Sequence, residues 1–204
     1  MSSRRRSNSS ARATAPRRGA RAPAKRALRS TTADERTERA LSHVAVDAEG
    51  RGAARMVDVG AKPVTARSAL ARATVRFPRG LLERVLAGRG PKGPVEEVAR
   101  VAGILAAKRT GELVPMCHPL GLDVVTIEFT RPAPGRLEIR CRTACAGRTG
   151  VEMEALTGAA IAALTVYDMT KALDPSIAIE TIELLEKHGG RHGPWRRSAD
   201  QGKR

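Results

Sequence analysis

Asp168 and Lys171 close the stretch RTGVEMEALTGAAIAALTVYDMTK, Arg148 to Lys171, which Glu152 and Glu154 open and in which no charge interrupts Ala155 to Tyr167. An acid and an amine three residues apart share one helix face, with the polar tip of Tyr167 beside them. Presented by an apolar helix, such groups should have shifted pKa values, as general acid/base chemistry requires. The competing reading is an ordinary ion pair on a helix surface. Glu152 and Glu154 flank Met153, and if the chain is still extended there both carboxylates point to one face. That pair either grips a guanidine-like or aminopyrimidine edge or simply complements a helix N-terminus.

Two loops add candidates. In GRGPKGP, Gly88 to Pro94, Lys92 stands just before a helix N-terminus, where free N–H groups and the helix dipole favour an anion. The spacing is neither that of a P-loop nor that of a dinucleotide fingerprint, so a plain glycine turn competes equally. In ELVPMCHPLGL, Pro115 and Pro119 stiffen an irregular connection that presents Met116, Cys117 and His118. His118 reads as a hydrogen-bonding or proton-transfer group, or as a satisfied structural histidine. A zinc site from Cys117, His118, Cys141 and Cys145 is disfavoured, because residues four apart on a strand stand roughly 13 Å from each other. No metal ligand set is assigned.

The elements that must position these groups follow from periodicity. Leu41 to Ala73 reads as a partly extended leading segment, Ala73 to Phe77 as a strand, and Gly80 to Ala87 as two turns of helix. Val95, Val98, Val101, Ala102 and Leu105 recur at helical spacing, with Pro94 suited to the first helical position, Glu96 and Glu97 in the first turn and Gly111 as the stop. Asp123 to Thr130 and Arg136 to Cys145 alternate around RPAPG and predict a β-hairpin. The helix that carries Asp168 follows, its many alanines and glycines allowing another backbone to approach closely, so it should lie deep in a core or subunit interface. Asp174 and Pro175 end it, and Ile177 to Leu185 supplies a last strand. Strand, helix, two hairpin strands, helix, strand is the split β-α-β pattern of a ferredoxin-like α+β sandwich, an antiparallel sheet with its helices on one face.

At 204 residues one domain with one core is expected. The formal charge of +16 suggests nucleic acid until it is located. Residues 1–40 hold 12 Lys/Arg against 3 Asp/Glu and residues 187–204 hold 6 against 1, which leaves the middle at only +2. Residues 1–40 are therefore expected to be a disordered basic extension, 41–194 the folded domain and 195–204 a basic tail. With two Phe, one Tyr and one Trp the folded part has little to stack on bases, so nucleic acid is expected only nonspecifically, through the tail. Three cysteines and no apolar leader point away from a disulfide-built secreted protein and towards the cytoplasm. The apolar helix is too short to cross a bilayer, which needs ~20 residues.

Taken together, MVDVGAKPVTAR from Met56, KGPVEEVARVAGILAAKRT from Lys92, LVPMCHPL around His118, GRTGVEMEALTGAA from Gly147, LTVYDMTKALD up to Asp174 and LLEKHGG near Lys187 resemble the cyclic pyranopterin monophosphate synthases, the molybdenum-cofactor biosynthesis protein C family. The resemblance spans roughly Leu41 to Pro194, in order. It implies a cytoplasmic lyase that turns 3′,8-cyclo-7,8-dihydroguanosine 5′-triphosphate into cyclic pyranopterin monophosphate and diphosphate, in a hexamer built as a trimer of dimers with sites at subunit interfaces. It also implies that Asp168, Lys171 and Lys92 are catalytic. Met116, Cys117, His118, Met153 and Glu154 would bind substrate, with Glu152, Arg67 and Lys187 in matching site segments. Magnesium could accompany the triphosphate, although no carboxylate cage is dedicated to it. Thr170 stands where the family pattern has cysteine, and Pro94 where it has aspartate. The alternatives are a nucleic-acid-binding protein using the basic tails and a catalytically inactive assembly subunit.

Overall fold

The computed structural model describes residues 44–46, 48–191 and 193–198. The expected N-terminal extension, residues 1–40, lies outside them. A short hairpin comes first: β1 (Val44–Val46) pairs with β2 (Gly52–Ala54) in a sheet of their own. A five-stranded antiparallel sheet follows, built from β3 (Thr65–Arg76), β4 (Val124–Ala133), β5 (Arg136–Gly147), β6 (Ala178–His188) and β7 (Trp195–Arg196). Its strand order is β4-β5-β3-β6-β7. Between strands lie α1 (Leu81–Arg84), continued by a wide turn over Val85–Arg89, then α2 (Val95–Lys108), the single turn α3 (Thr110–Leu113), and the long α4 (Glu152–Thr170). The chain is thus α+β, and from β3 to β6 its connectivity is strand, helix, strand, strand, helix, strand.

Period-two alternation explains the sheet. Ala69, Ala71, Ala73 and Val75 of β3 and Leu137, Ile139, Cys141, Thr143 and Cys145 of β5 are buried under the helices. The intervening residues face away, and there arginines meet glutamates across strands: Arg72 with Glu183 and Glu138, Arg140 with Glu138, Arg76 and Arg136 with Glu180, Arg142 with Glu186. Glu138 is buried, but two guanidiniums and the Thr130 hydroxyl bond it, as a buried carboxylate needs.

Several elements differ from the sequence expectation. β3 begins eight residues before Ala73, because its inward residues are alanines, which carry weak hydrophobic and strand signals. β4 runs on through Pro132 to Ala133; as an edge strand it tolerates a residue with no N–H to donate, and the register slips there. Pro94 caps α2 from outside rather than occupying its first turn. The expected tail from residue 195 starts as β7, paired to β6. The apolar positions of α2 are split between its faces: Val95 is buried together with Ala99, Gly103, Ala106 and Ala107, while Val98, Val101 and Leu105 are exposed in the single chain.

Close approach of the two long helices accounts for that orientation. Gly103 of α2 and Gly158 of α4 meet, so that a Cβ on Gly103 would lie 2.8 Å from the Gly158 carbonyl and one on Gly158 only 2.6 Å from the Cys141 sulfur. Only small residues fit on the facing sides, which pushes the larger apolar side chains of α2 outward. On α4, Ala155, Ala159, Ala162, Ala163 and Val166 are buried against the sheet and α2. No helix of the described residues is long and apolar enough to cross a membrane.

Candidate active site at the two ends of one helix

The predicted residues fall into two groups, one at each end of α4. At its C-terminal end, Asp168 lies between two ammonium groups: Lys92 Nζ is 2.8 Å from one carboxylate oxygen and Lys171 Nζ 2.9 Å from the other. Lys171 comes from the next turn, as the spacing predicts. Lys92 comes from the loop before α2, which the helix–helix contact brings alongside. All three side chains are about half exposed. Lys92 first and Lys171 next hold the Asp168 carboxyl down to about 2, while Asp168 pushes the Lys171 amine above its usual value. The trio carries net positive charge and offers two proton-donating ammoniums around one carboxylate, which suits an anionic substrate.

At the N-terminal end, Glu154 is buried and accepts the Cys117 thiol hydrogen at 3.6 Å, while its second oxygen, Oε2, has no partner among the described residues. Burial pushes the Glu154 carboxyl above its ordinary value, and Glu152 adds to that. Burial also pushes the Cys117 thiol up to about 11, helped by Glu154. Cys117 is therefore a hydrogen-bond donor here and a poor nucleophile. His118 donates from Nε2 to the Val57 carbonyl at 2.8 Å. Glu152 pairs with Lys187 of β6 at 2.9 Å. Arg67 of β3 stands opposite Cys145 of β5, its Nε buried without a partner among the described residues. Met116 is half-buried and Met153 exposed.

The two glutamates do not share a face. Both sit in the first turn of α4, and two positions on a helix turn by roughly 200°, so Glu154 points into the core and Glu152 towards β6. The expectation of a paired carboxylate edge is corrected accordingly: the buried Glu154 carboxyl, bonded by Cys117 through one oxygen only among the described residues, faces the Met-Cys-His loop and Glu152 holds Lys187. Neither substitution away from the family pattern touches the charged groups. Thr170 is buried and donates back to the Val166 carbonyl at 2.6 Å, and Pro94 lies outside α2.

Other participants escaped the sequence. The Val57 carbonyl that receives His118 is a main-chain atom and leaves no mark in composition. Arg148 donates to the Lys62 carbonyl at 3.1 Å, so this side chain and His118 together hold the segment between β2 and β3 over the loop. Asp123 accepts from the Ala146 amide at 3.1 Å and, after burial, it and Glu154 push the Cys145 thiol upward. A cleft lined by Lys108, Arg109, Gly111, Glu112, Pro119, Leu120 and Gly121 contains none of the predicted site residues. Among the described residues no group of three or more His, Cys, Asp or Glu is gathered around a metal position.

Within one chain the two groups stay apart. Fourteen residues of helix separate Glu154 from Asp168, roughly 21 Å along the axis.

Comparison with known proteins gives the same segments a context. Residues 56–190 match the MoaC family. The chain is 55% identical over 158 residues to a protein of Chloroflexus aggregans named cyclic pyranopterin monophosphate synthase, covering 77% of this chain and 93% of that one. It is 53% identical over 160 residues to cyclic pyranopterin monophosphate synthase 1 of Mycobacterium tuberculosis, covering 78% and 92%. A protein of Novosphingobium aromaticivorans with the name of the first is 50% identical over 156 residues, covering 76% and 96%.

Proposed function

The chain belongs to the MoaC family, and from that premise we propose that it converts 3′,8-cyclo-7,8-dihydroguanosine 5′-triphosphate into cyclic pyranopterin monophosphate and diphosphate. It is an enzyme of molybdenum cofactor biosynthesis, a lyase, like the relatives that share half of its residues over nine-tenths of their length. The observation that carries the chemistry is the clamp of Lys92 and Lys171 on Asp168. Lys92 and Lys171 neutralise phosphate oxygens as a sugar hydroxyl attacks the innermost phosphorus and diphosphate leaves. Asp168 and Lys171 exchange protons as the ring system opens and rearranges. Positioning and preorganised charge supply much of the rate in such a step.

The reduced base is held at the other end of α4, where Glu154 Oε2, without a partner among the described residues, is an acceptor matched to an aminopyrimidine N–H, with Met116, Cys117, His118 and Met153 completing the group. Arg67 and Lys187 favour the same ligand's negative charge. Because the reacting trio and this recognition group lie at opposite ends of one helix, the complete site is shared between subunits, in a hexamer arranged as a trimer of dimers. The exposed Val98, Val101 and Leu105 of α2 and Leu164 of α4 support burial of that helix layer against another subunit. Magnesium accompanying the triphosphate would be held by the substrate rather than by a carboxylate cage of this chain, and would add to the charge neutralisation that Lys92 and Lys171 supply. A cytoplasmic location fits the family's soluble chemistry.

The test is direct. Purified protein incubated with the cyclic dihydro-GTP substrate should release diphosphate and a pyranopterin, and absence of both products rejects the reading. Asp168→Asn and Lys171→Ala should each lose turnover while the oligomer persists in sedimentation; near-normal rates in either variant remove that residue from the mechanism.

A further inference from the structure

β7 pairs with two residues only: Arg196 stands opposite Glu186, and Trp195 opposite Lys187. On its other edge Lys187 is paired with Ala69 of β3. The strand position that carries Lys187 is therefore fixed from both sides, and β7 supplies one of them. Alternation along β6 then divides the work. Glu186 points to the outer face of the sheet, where Arg142 and Arg196 bond it at 3.4 and 2.7 Å. Lys187 points to the helix side and reaches Glu152 at 2.9 Å.

Arg197 fastens the return strand. Its amide donates to the Leu185 carbonyl and its Nε to the Leu184 carbonyl, each at 2.8 Å, and the same guanidinium pairs with Glu183 at 3.1 Å. It also lies 5.8 Å from the Trp195 ring centre, within cation–π range. The turn between the strands presses on a second site residue. Gly189 and Gly190 both have left-handed backbone, φ 89 and 88, and a Cβ on the first would run into the Ala66 carbonyl, on the second into the Arg67 guanidinium. Glycine at both positions lets the turn lie against Arg67. The family match ends at residue 190, so β7 and its arginines lie beyond it.

We infer that the hairpin of β6 and β7 is a clasp that positions Lys187 and Arg67 for the anionic substrate, with Arg196 and Arg197 as its latches. These arginines are positioning residues; they act through Lys187 and through the turn on Arg67. The inference rests on the substrate-binding assignment of those two cations made above. A merely protective edge strand would stabilise the sheet without depending on Lys187.

A double-mutant cycle separates the two. A chain ending at Pro194 should raise KM about tenfold with kcat changed less than about twofold, because ground-state binding is what Lys187 supplies. In a Lys187→Ala background the same truncation should raise KM clearly less than tenfold, by about threefold, because only the part that acts through the turn on Arg67 remains. A chain ending at Ser198 should match the full-length protein. Equal, additive losses in both backgrounds overturn the inference. If the shorter chain does not fold by circular dichroism, Arg196→Gln with Arg197→Gln replaces it, and Arg197→Lys should restore part of the loss. One arm is independent of turnover: acylation of the Lys187 amine, read by mass spectrometry with amide exchange over Leu185 to His188, should speed up about fivefold without β7. Unchanged labelling and exchange reject the clasp even in a fully active enzyme, and faster labelling supports it even if the proposed reaction fails.

Discussion

Asp168 is bonded through both carboxylate oxygens, and that fixes what its pH behaviour can be. Its carboxyl is held to about 2. A depressed acid contributes stability above its unfolded pKa and loses it as pH falls through the folded value, here between about 4 and 2. The groups are so exposed that this adds little to folding, but it does set the charge state. Asp168 should be ionised throughout pH 4 to 8, and a carbon-13 titration of its carboxyl should show no inflection in that range. Lys92→Ala should move the inflection upward towards ordinary carboxylate values; an unmoved inflection would show that the ion pair is not formed in solution. Glu154 has the opposite sign. Raised by burial above its ordinary 4.5, it contributes stability below that value and loses it as pH rises through the folded pKa. Glu154→Gln keeps an acceptor for Cys117 and removes the buried charge. Its unfolding free energy should match or exceed wild type by about 1 kcal/mol at pH 7, with the gap closing below pH 4.5, while substrate affinity falls. A large loss of stability at pH 7 would mean that the carboxylate is satisfied by something other than substrate. At this scale the sequence shows the Asp168–Lys171 spacing because a helix makes it local. Lys92, seventy-six residues away from Asp168, is brought there by tertiary packing, so no local periodicity reveals it.

Helix and strand assignments were legible where large apolar residues mark the period and faint where alanine does the burying. α2 and the β4–β5 hairpin were recognisable. The first half of β3 was not, since Ala69 and Ala71 read the same in a helix, a strand or a loop. The outward stripe of α2 is a subtler case: Val98, Val101 and Leu105 have helical spacing, which identifies the helix but not which of its faces turns inward. What decides the face is the glycine contact with α4, a pairing between elements that single-chain periodicity does not encode. Gly158→Ala tests it. On helix propensity alone the change should stabilise by about 1 kcal/mol. The new methyl would lie 2.6 Å from the Cys141 sulfur and 3.2 Å from the Gly103 carbonyl, so overpacking should win and the protein should lose roughly 2 kcal/mol in denaturant unfolding. A stabilised variant would mean that the helices do not approach this closely.

The whole molecule poses the question that neither end of α4 answers alone. One chain holds the Lys92–Asp168–Lys171 trio and the Glu154 group roughly 21 Å apart, farther than the reacting and recognised atoms of the proposed nucleotide substrate can lie from each other. A shared interface resolves this if the trio of one subunit meets the recognition group of another. None of the predicted site residues comes from the basic residues 1–40, and deleting them should leave turnover unchanged; loss of activity would make them a working part. The proposed sharing of the site between subunits makes a sharper demand. Asp168→Asn spoils one half of every site and Glu154→Gln weakens binding at the other, so with substrate held well below the KM of the Glu154→Gln variant each pure variant should be nearly inactive. When the two are unfolded together and reassembled in equal amounts, subunits combine at random, and roughly a quarter of the sites receive both intact halves. The mixture should therefore regain about a quarter of wild-type turnover per subunit, measured as diphosphate released, while separately reassembled variants stay nearly inactive. No recovery, with mixed oligomers shown by native mass spectrometry, would place both halves of the site in one chain and require α4 to be bridged some other way.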